Sequence, residues 1–361
     1  MLTLMQRMAI VVALLLTFVA PAFAKAGLTS IWEPVYNQLE VFYVDGEGAV
    51  RVLWKGGDGY WHQPQKITPD NWGMPGSEIT ALWSAMNNQL EVFWVDGAGA
   101  LNVVWKDHNK AWHSPAKLTG TGFAAPGSPL TGFWQPDYHQ LHVFGVTTDG
   151  AIDMIYKTDN KPWNPPARMT GPGMAVTGSQ MAAIYQPTGA QSLLFYTAPN
   201  GAVGLTWKAK NGAWQAPAAL TNPGMAAPGA WLTATYYAPY DQTEVFYTGP
   251  SGHVNVTWKH GAMGTWNSQS ISGPNFSPPG APITAGPMPL DNHLEVFSIG
   301  SAGTINDVWK QNNGGWQPAF ATSGAGSSVP GNTISATLLP SPAQLENAIQ
   351  IQFMMKRIGI I

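Results

Sequence analysis

Polar positions divide this chain into short apolar runs at a fixed interval. Residues 38–55 read QLEVFYVDGEGAVRVLWK, and residues 89–106 repeat them as QLEVFWVDGAGALNVVWK. The run returns at 140–157, 191–208 and 242–259, and a sixth copy, HLEVFSIGSAGTINDVWK, ends at Lys310. The phase never slips. Gly48, Gly99, Gly150, Gly201, Gly252 and Gly303 stand 51 residues apart, as do Lys55, Lys106, Lys157, Lys208, Lys259 and Lys310. A constant period of about 50 residues is the mark of a repeat architecture.

Each unit predicts four short strands. In the second unit these fall at 79–83, 90–95 and 101–106, with a weaker fourth that begins at Trp112 and finishes at 117–119. The turn Asp96-Gly97-Ala98-Gly99 joins the second and third, where glycine takes a positive φ at no steric cost. Runs such as LEVFYV and LNVVW show little apolar–polar alternation, so both faces of each unit are expected to be covered by neighbours. Four-stranded units of this length repeated around an axis are β-propeller blades. The rungs of an open β-solenoid are about half as long.

The expected fold class is therefore all-β: a β-propeller with seven blades of four antiparallel strands and an incomplete last blade. Residues 25–361 form a single domain, with blades at about 25–68, 69–119, 120–170, 171–221, 222–272 and 273–323 and a partial seventh at 324–361. The seventh opens with a strand at 334–338 and keeps phase through Glu346. Beyond it, Ala348 stands where Phe is due and Met354 where the turn glycine belongs. One reading is a short natural blade with 348–353 as its second strand. The favoured reading is a frameshift or truncation after Glu346, because the phase is intact up to one residue and lost after it.

The N-terminus changes the picture of where the protein works. Arg7 precedes the apolar run 8–19, and Ala22-Phe23-Ala24 forms an A-x-A cleavage site, so residues 1–24 read as a secretory signal peptide. Pro21 ends that run short of the roughly 20 apolar residues a span requires. Export to the periplasm or the extracellular medium is expected, with no membrane span. The chain has no cysteine, which leaves stability to burial and excludes thiolate metal sites and a Cys nucleophile. Charged residues make up 10% and the net charge is −3, unlike the basic stripe that nucleic acid requires.

The Leu-Glu-Val-Phe core, the turn Gly, the aliphatic strand ending in Trp and a second Trp six to seven residues on together resemble the repeats of the PLL-type bacterial propeller lectins. The resemblance runs from Leu28 to Glu346. It implies seven blades with sugar sites between them. The fungal fucose-specific propeller lectins are a more distant likeness, whose sites are built from an Arg and Glu pair with aromatics. Here Arg51 and Arg168 are the only arginines in the six full repeats, so that clamp cannot be repeated around the ring.

Candidate chemistry falls on periodic positions. Trp61, Trp112, Trp163, Trp214, Trp266 and Trp316 open the fourth strand, and Trp54, Trp105, Tyr156, Trp207, Trp258 and Trp309 close the third. An indole is a broad apolar platform with a polar N–H edge. Sugar platforms and interblade packing wedges both fit these residues. Aromatics also end the first strand (Trp32, Trp83, Trp134, Tyr185, Tyr236) but fail at Pro287 and Leu338. After the fourth-strand Trp come His62, His113, Asn164, Gln215, Asn267 and Gln317, all hydrogen-bonding side chains and candidate sugar contacts. Glu40, Glu91, Glu244 and Glu295 sit inside apolar strands, where a carboxylate must be hydrogen-bonded. Two roles are open to them: bonded to backbone, a Trp N–H or a periodic Lys, or accepting sugar hydroxyls. His142 and Leu193 replace Glu in blades three and four, which would have no working site on the second reading.

An enzyme is not expected. With Arg51 and Arg168 alone in six blades, plus Arg357 in the tail, the carboxylate-binding cluster of a sialidase is not expected, and neither H-E-x-x-H nor G-x-S-x-G occurs. Repeat length is uniform apart from one extra residue near Met263, so no blade carries the enlarged loops of a single asymmetric site. No cofactor or metal is expected; Asp45-Gly46-Glu47 is too short a calcium ligand set and is lost in later blades. The expected function is non-catalytic, multivalent carbohydrate binding at shallow sites between blades, with a glycoconjugate as partner and the oligomeric state open. The alternative is an exported protein-binding or envelope scaffold.

Overall fold

A computed structural model describes residues 27–337, except 86, 108–110, 211 and 289–291. The first blade consists of β1 (Leu28–Glu33), β2 (Gln38–Val44), β3 (Val50–Lys55) and β4 (Gln65–Lys66). The second has β5 (Ile79–Ser84), β6 (Gln89–Val95), β7 (Leu101–Lys106) and β8 (Ala116–Lys117). The third has β9 (Leu130–Gln135), β10 (Gln140–Val146), β11 (Ile152–Thr158) and β12 (Ala167–Arg168). The fourth has β13 (Ala182–Gln186), β14 (Gln191–Thr197), β15 (Val203–Lys208) and β16 (Ala218–Ala219). The fifth has β17 (Leu232–Tyr237), β18 (Gln242–Thr248), β19 (Val254–His260) and β20 (Asn267–Ser270). The sixth has β21 (Ile283–Met288), β22 (His293–Ile299), β23 (Ile305–Gln311) and β24 (Phe320–Ala321).

Each blade is an antiparallel meander, its strands paired in chain order. First strands of successive blades pack on one another from β1 through β21, and second strands lie buried between blades. That placement explains their missing alternation. Phe42, Val44, Val50 and Val52 of blade one form one cluster with Leu90, Val92 and Trp94 of blade two. A sheet covered on both faces has no polar side to display.

Two local devices recur in phase. In the hairpin between β6 and β7, Asp96 Oδ1 accepts from the Ala98 and Ala100 amides, and Gly99 takes φ 75°. At the blade's end, Thr119 Oγ1 accepts from the Leu101 amide. The same latch is made by Thr68, Thr170, Thr221, Ser272 and Ser323 on the residue that starts or precedes the third strand's pairing. The fourth strand needs this latch because it pairs over two residues in every blade but the fifth. Its expected extension back to Trp112 reduces to a single bridge, Lys106 to Trp112.

The blade count corrects the expectation. Among the described residues six four-stranded sheets form the propeller, not seven with an incomplete last blade. Residues 331–337 follow the sixth blade without strand pairing. Their polar groups are engaged across the seam instead. The Ser30 amide donates to Ser335 Oγ at 3.1 Å, Thr333 Oγ1 donates to Glu78 Oε1 at 3.2 Å, and the Ala336 amide donates to Thr284 Oγ1 at 3.3 Å. This segment therefore joins β21 to β1 by side-chain bonds, without the backbone ladder that defines a strand. The expected strand at 348–353, residue 338 and the leader 1–24 lie outside the described residues.

The hairpin glycine yields a direct test. A Cβ on Gly99 would stand 2.5 Å from the Ala124 carbonyl oxygen at a backbone angle that L-residues avoid. Gly99→Ala is expected to destabilise the protein by about 1–3 kcal/mol, read as a lower urea midpoint at unchanged m-value.

Candidate functional site

Several of the candidate residues gather where one blade meets the next. Register places Glu40 opposite Ile31 on one side and Trp54 on the other. All three point toward blade two, from which Lys106 reaches across to Glu40. The arrangement repeats. Lys157 Nζ lies 2.7 Å from Glu91, and Lys310 Nζ lies 2.6 Å from Glu244. These pairs are nearly removed from water. Burial pushes the Glu40, Glu91 and Glu244 carboxyls above the ordinary carboxylate range, with the facing lysine offsetting part of the rise.

An aromatic lid covers each lysine. Trp112, Trp163, Trp214, Trp266 and Trp316 stand 5.2–5.6 Å by ring centroid from Lys106, Lys157, Lys208, Lys259 and Lys310. Each also sets its ring edge-on to a second-strand Phe of the preceding blade, with centroids 5.6–5.8 Å apart. Among the described residues Trp61 has no such Phe partner, and it packs on the cluster of Leu39, Val41, Tyr43 and Leu53 of its own blade. Every fourth-strand Trp is half-buried. These rings are thus wedges on one side and open on the other.

The open side forms a cleft. Between blades one and two it measures about 400 Å³ and is lined by Tyr36, Gln38, Glu40, Trp54, Lys106 and Trp112 among others. The equivalent cleft between blades four and five measures about 220 Å³, with Gln191, Leu193, Trp207, Lys259, Met263 and Trp266 in its walls. Two indoles from adjacent blades face a floor of Gln and Lys. Such a concavity holds a flat apolar face between rings while offering donors and acceptors below.

The sequence-nominated residues separate into two groups. Trp112 and Trp266, with Glu40, line the described clefts; Trp163, Trp214 and Trp316 hold the same register elsewhere. Glu91 and Glu244 are spent on lysines. Glu295 stands in blade six with its Oε1 3.8 Å from His293 Nδ1. The polar position after the fourth-strand Trp does not line either cleft. His62 and His113 stack on Trp54 and Trp105 of their own blade at 4.9 and 4.8 Å. Asn164, Gln215, Asn267 and Gln317 donate to nearby backbone carbonyls of their own blades, at 3.1–3.3 Å. The residue that sequence reasoning passed over is Gln38 with Gln191. The signal was present, since Gln38, Gln89, Gln140, Gln191 and Gln242 keep the 51-residue period.

The two described arginines are occupied elsewhere: Arg51 pairs with Asp45, and Arg168 with Asp149 and Asp153 at 3.0 and 3.2 Å. Among the described residues no cluster of His, Cys, Asp or Glu is placed to hold a metal ion. No described helix is long and apolar enough to cross a membrane.

Solved structures share this fold. The chain superposes on the BP39L lectin of Burkholderia pseudomallei with a TM-score of 0.81 at 28% identity, over 87% of this chain and 89% of that one. The fold is that of a β-propeller lectin. The Aleuria aurantia lectin, described as a six-bladed β-propeller with a novel mode of fucose recognition, gives a TM-score of 0.52 at 16% identity over 86% and 97%. SapL1 lectin, solved with α-methyl fucoside, gives 0.56 at 18% over 84% and 96%. These two likenesses are of fold alone. No family model matches the sequence, and comparison with curated proteins finds no match. Six blades in this lectin-type propeller give five consecutive blade junctions, each with a lysine under a tryptophan.

Two outcomes follow from the buried charges. Glu91→Leu leaves Lys157 buried against an apolar wall and is expected to cost about 3–5 kcal/mol, most of it recovered in the Glu91→Leu/Lys157→Met double variant; urea melts of all four forms of the cycle measure this. Asp307 occupies the register position of Val52 and Leu205. Burial, with Glu295 second, pushes its carboxyl up to about 7 from 3.8. A raised carboxyl contributes stability below its unfolded pKa and loses it as pH climbs through about 7. Asp307→Asn should therefore match the parent near pH 4 and exceed it by about 1–2 kcal/mol at pH 8, a figure discounted for partial solvation.

Proposed function

We propose that this protein is a non-catalytic, multivalent carbohydrate-binding protein of the propeller-lectin kind, with saccharide held in the clefts between successive blades. The observation that carries this reading is the repetition of one cleft at two junctions. Trp54, Lys106, Trp112 and Gln38 at the first junction correspond to Trp207, Lys259, Trp266 and Gln191 at the fourth. A core-only role would require the fourth-strand indoles to be sealed, and they are half-open. The clefts are shallow, so single sites are weak and affinity for a multivalent surface comes from simultaneous engagement.

Recognition divides between surface and floor. The indole faces take the apolar C–H face of a pyranose, and Gln38 with Lys106 bonds its hydroxyls. Likeness in fold to lectins solved with fucosides supports a neutral deoxyhexose as the basic ligand, and the PLL-type resemblance supports sites between blades. The arginine-based fucose clamp has no counterpart in these clefts, so any fucose would be met by the Gln, Lys and Trp set. The leader-like residues 1–24 support export, where glycoconjugates are met.

A glycan array probed with mature protein tests this reading. Binding to at least one saccharide class is expected, and Trp54→Ala is expected to lower the avidity about tenfold or more while the melting temperature stays within a few degrees. Absence of binding to every glycan would favour the scaffold alternative.

A further inference from the structure

Not all junctions are electrically alike. At the first, second and fifth, the bridging lysine meets a glutamate of the preceding blade: Lys106 with Glu40, Lys157 with Glu91, Lys310 with Glu244. At the third and fourth the carboxylate is missing, because His142 and Leu193 hold the glutamate register. Burial and the nearby Lys208 push His142 down to about 3, so it is neutral and supplies no anion. No carboxylate of the described residues lies within 4.0 Å of Lys208 or Lys259.

Lys259 shows the consequence most fully. It lines the cleft of about 220 Å³ between Trp207 and Trp266. Its amine donates to Gln191 Oε1 at 3.0 Å and to the Ala262 carbonyl at 2.8 Å, both neutral acceptors. Asp241 influences it only from beyond 4.0 Å and is itself engaged, accepting from Tyr236 Oη at 2.8 Å. Burial pulls the Lys259 amine down to about 8 from 10.5, the strain expected of a cation held in a cleft with no counter-charge. Lys208 stands in the same register under Trp214, and burial lowers it too.

We propose that the third and fourth junctions select acidic saccharides, the carboxylate of a uronate-type sugar meeting Lys208 or Lys259 while its ring lies along the tryptophans. The first, second and fifth junctions, neutralised internally, take uncharged sugars. This rests on the carbohydrate reading above and adds the ligand's charge class to it. A ligand carboxylate beside Lys259 in the fourth cleft would supply the negative charge that Glu40 supplies to Lys106 in the first, with Leu193 keeping the glutamate's register. Its pairing with Lys259 occurs in a half-dry site, where an ion pair is stronger than in bulk water.

The test uses a matched pair of probes, tri-galacturonate and its methyl ester, which share one sugar framework and differ in the charge and the ester methyl of each carboxyl group. Calorimetric titration of mature protein at low salt is expected to give the acid about tenfold tighter binding than the ester, as one added ion pair allows. Lys259→Gln should lower the acid-to-ester ratio, and Lys208→Gln/Lys259→Gln should bring it to about one. Leu193→Glu, which installs the carboxylate found at the first junction, should lower the ratio as well, with circular dichroism verifying the fold of each variant. Equal binding of acid and ester by the parent, or a ratio unmoved by the double lysine variant, overturns the proposal and leaves the lectin reading standing. Failure of acid, ester and every neutral glycan alike to bind overturns both.

Discussion

The contact between successive blades governs everything else in this molecule. Each junction places a lysine from one blade beneath its own tryptophan and against the second strand of the blade before it. The tryptophan edge meets a phenylalanine there, so a single side-chain pair closes the apolar seam and shields the cation. Desolvating a lysine is costly, and three junctions offset that cost with a glutamate while two do so with neutral acceptors or none described. The cleft is the outer margin of this same contact. Packing and the proposed recognition would share their atoms, and the indoles are neither sealed nor free.

That sharing explains what the sequence could reveal. Period, strand positions and hairpin glycines were visible because each reflects a local rule repeated in every blade. Residues 101–106 were expected as a strand and form one; residues 79–83 and 90–95 fall within strands one residue longer. The role of Glu40 was narrowed to two alternatives, one of them a bond to a periodic lysine, and the structure places Lys106 on it. Which lysine, and from which blade, was not readable from a linear repeat, because the partner lies 66 positions away in the next unit.

One expectation, the seventh blade, went astray, and one candidate position stands apart from the described clefts, for the same reason. The polar position after the fourth-strand tryptophan carries the right side chains for a sugar, yet the bridge at Trp112 turns His113 back onto Trp105 of its own blade. Sequence reports residue type and spacing, not which side of a ring is covered. The seventh blade was inferred from phase alone. Phase predicts where a first strand would begin, but a strand exists only with a partner, and residues 333–337 bond through Ser335, Thr333 and the Ala336 amide to three different blades instead. Gln38 was missed because a glutamine opening a strand is unremarkable until its neighbour's lysine is seen beside it.

The central claim is that saccharide occupies the margin of the blade contact. A crystal of mature protein soaked in α-methyl fucoside, and separately in a uronate, tests it most directly. Ring density lying along Trp112 between blades one and two, or along Trp266 between blades four and five, is the result this account predicts. Density confined to the propeller axis or to the hairpin turns, with both clefts holding only water, would contradict it.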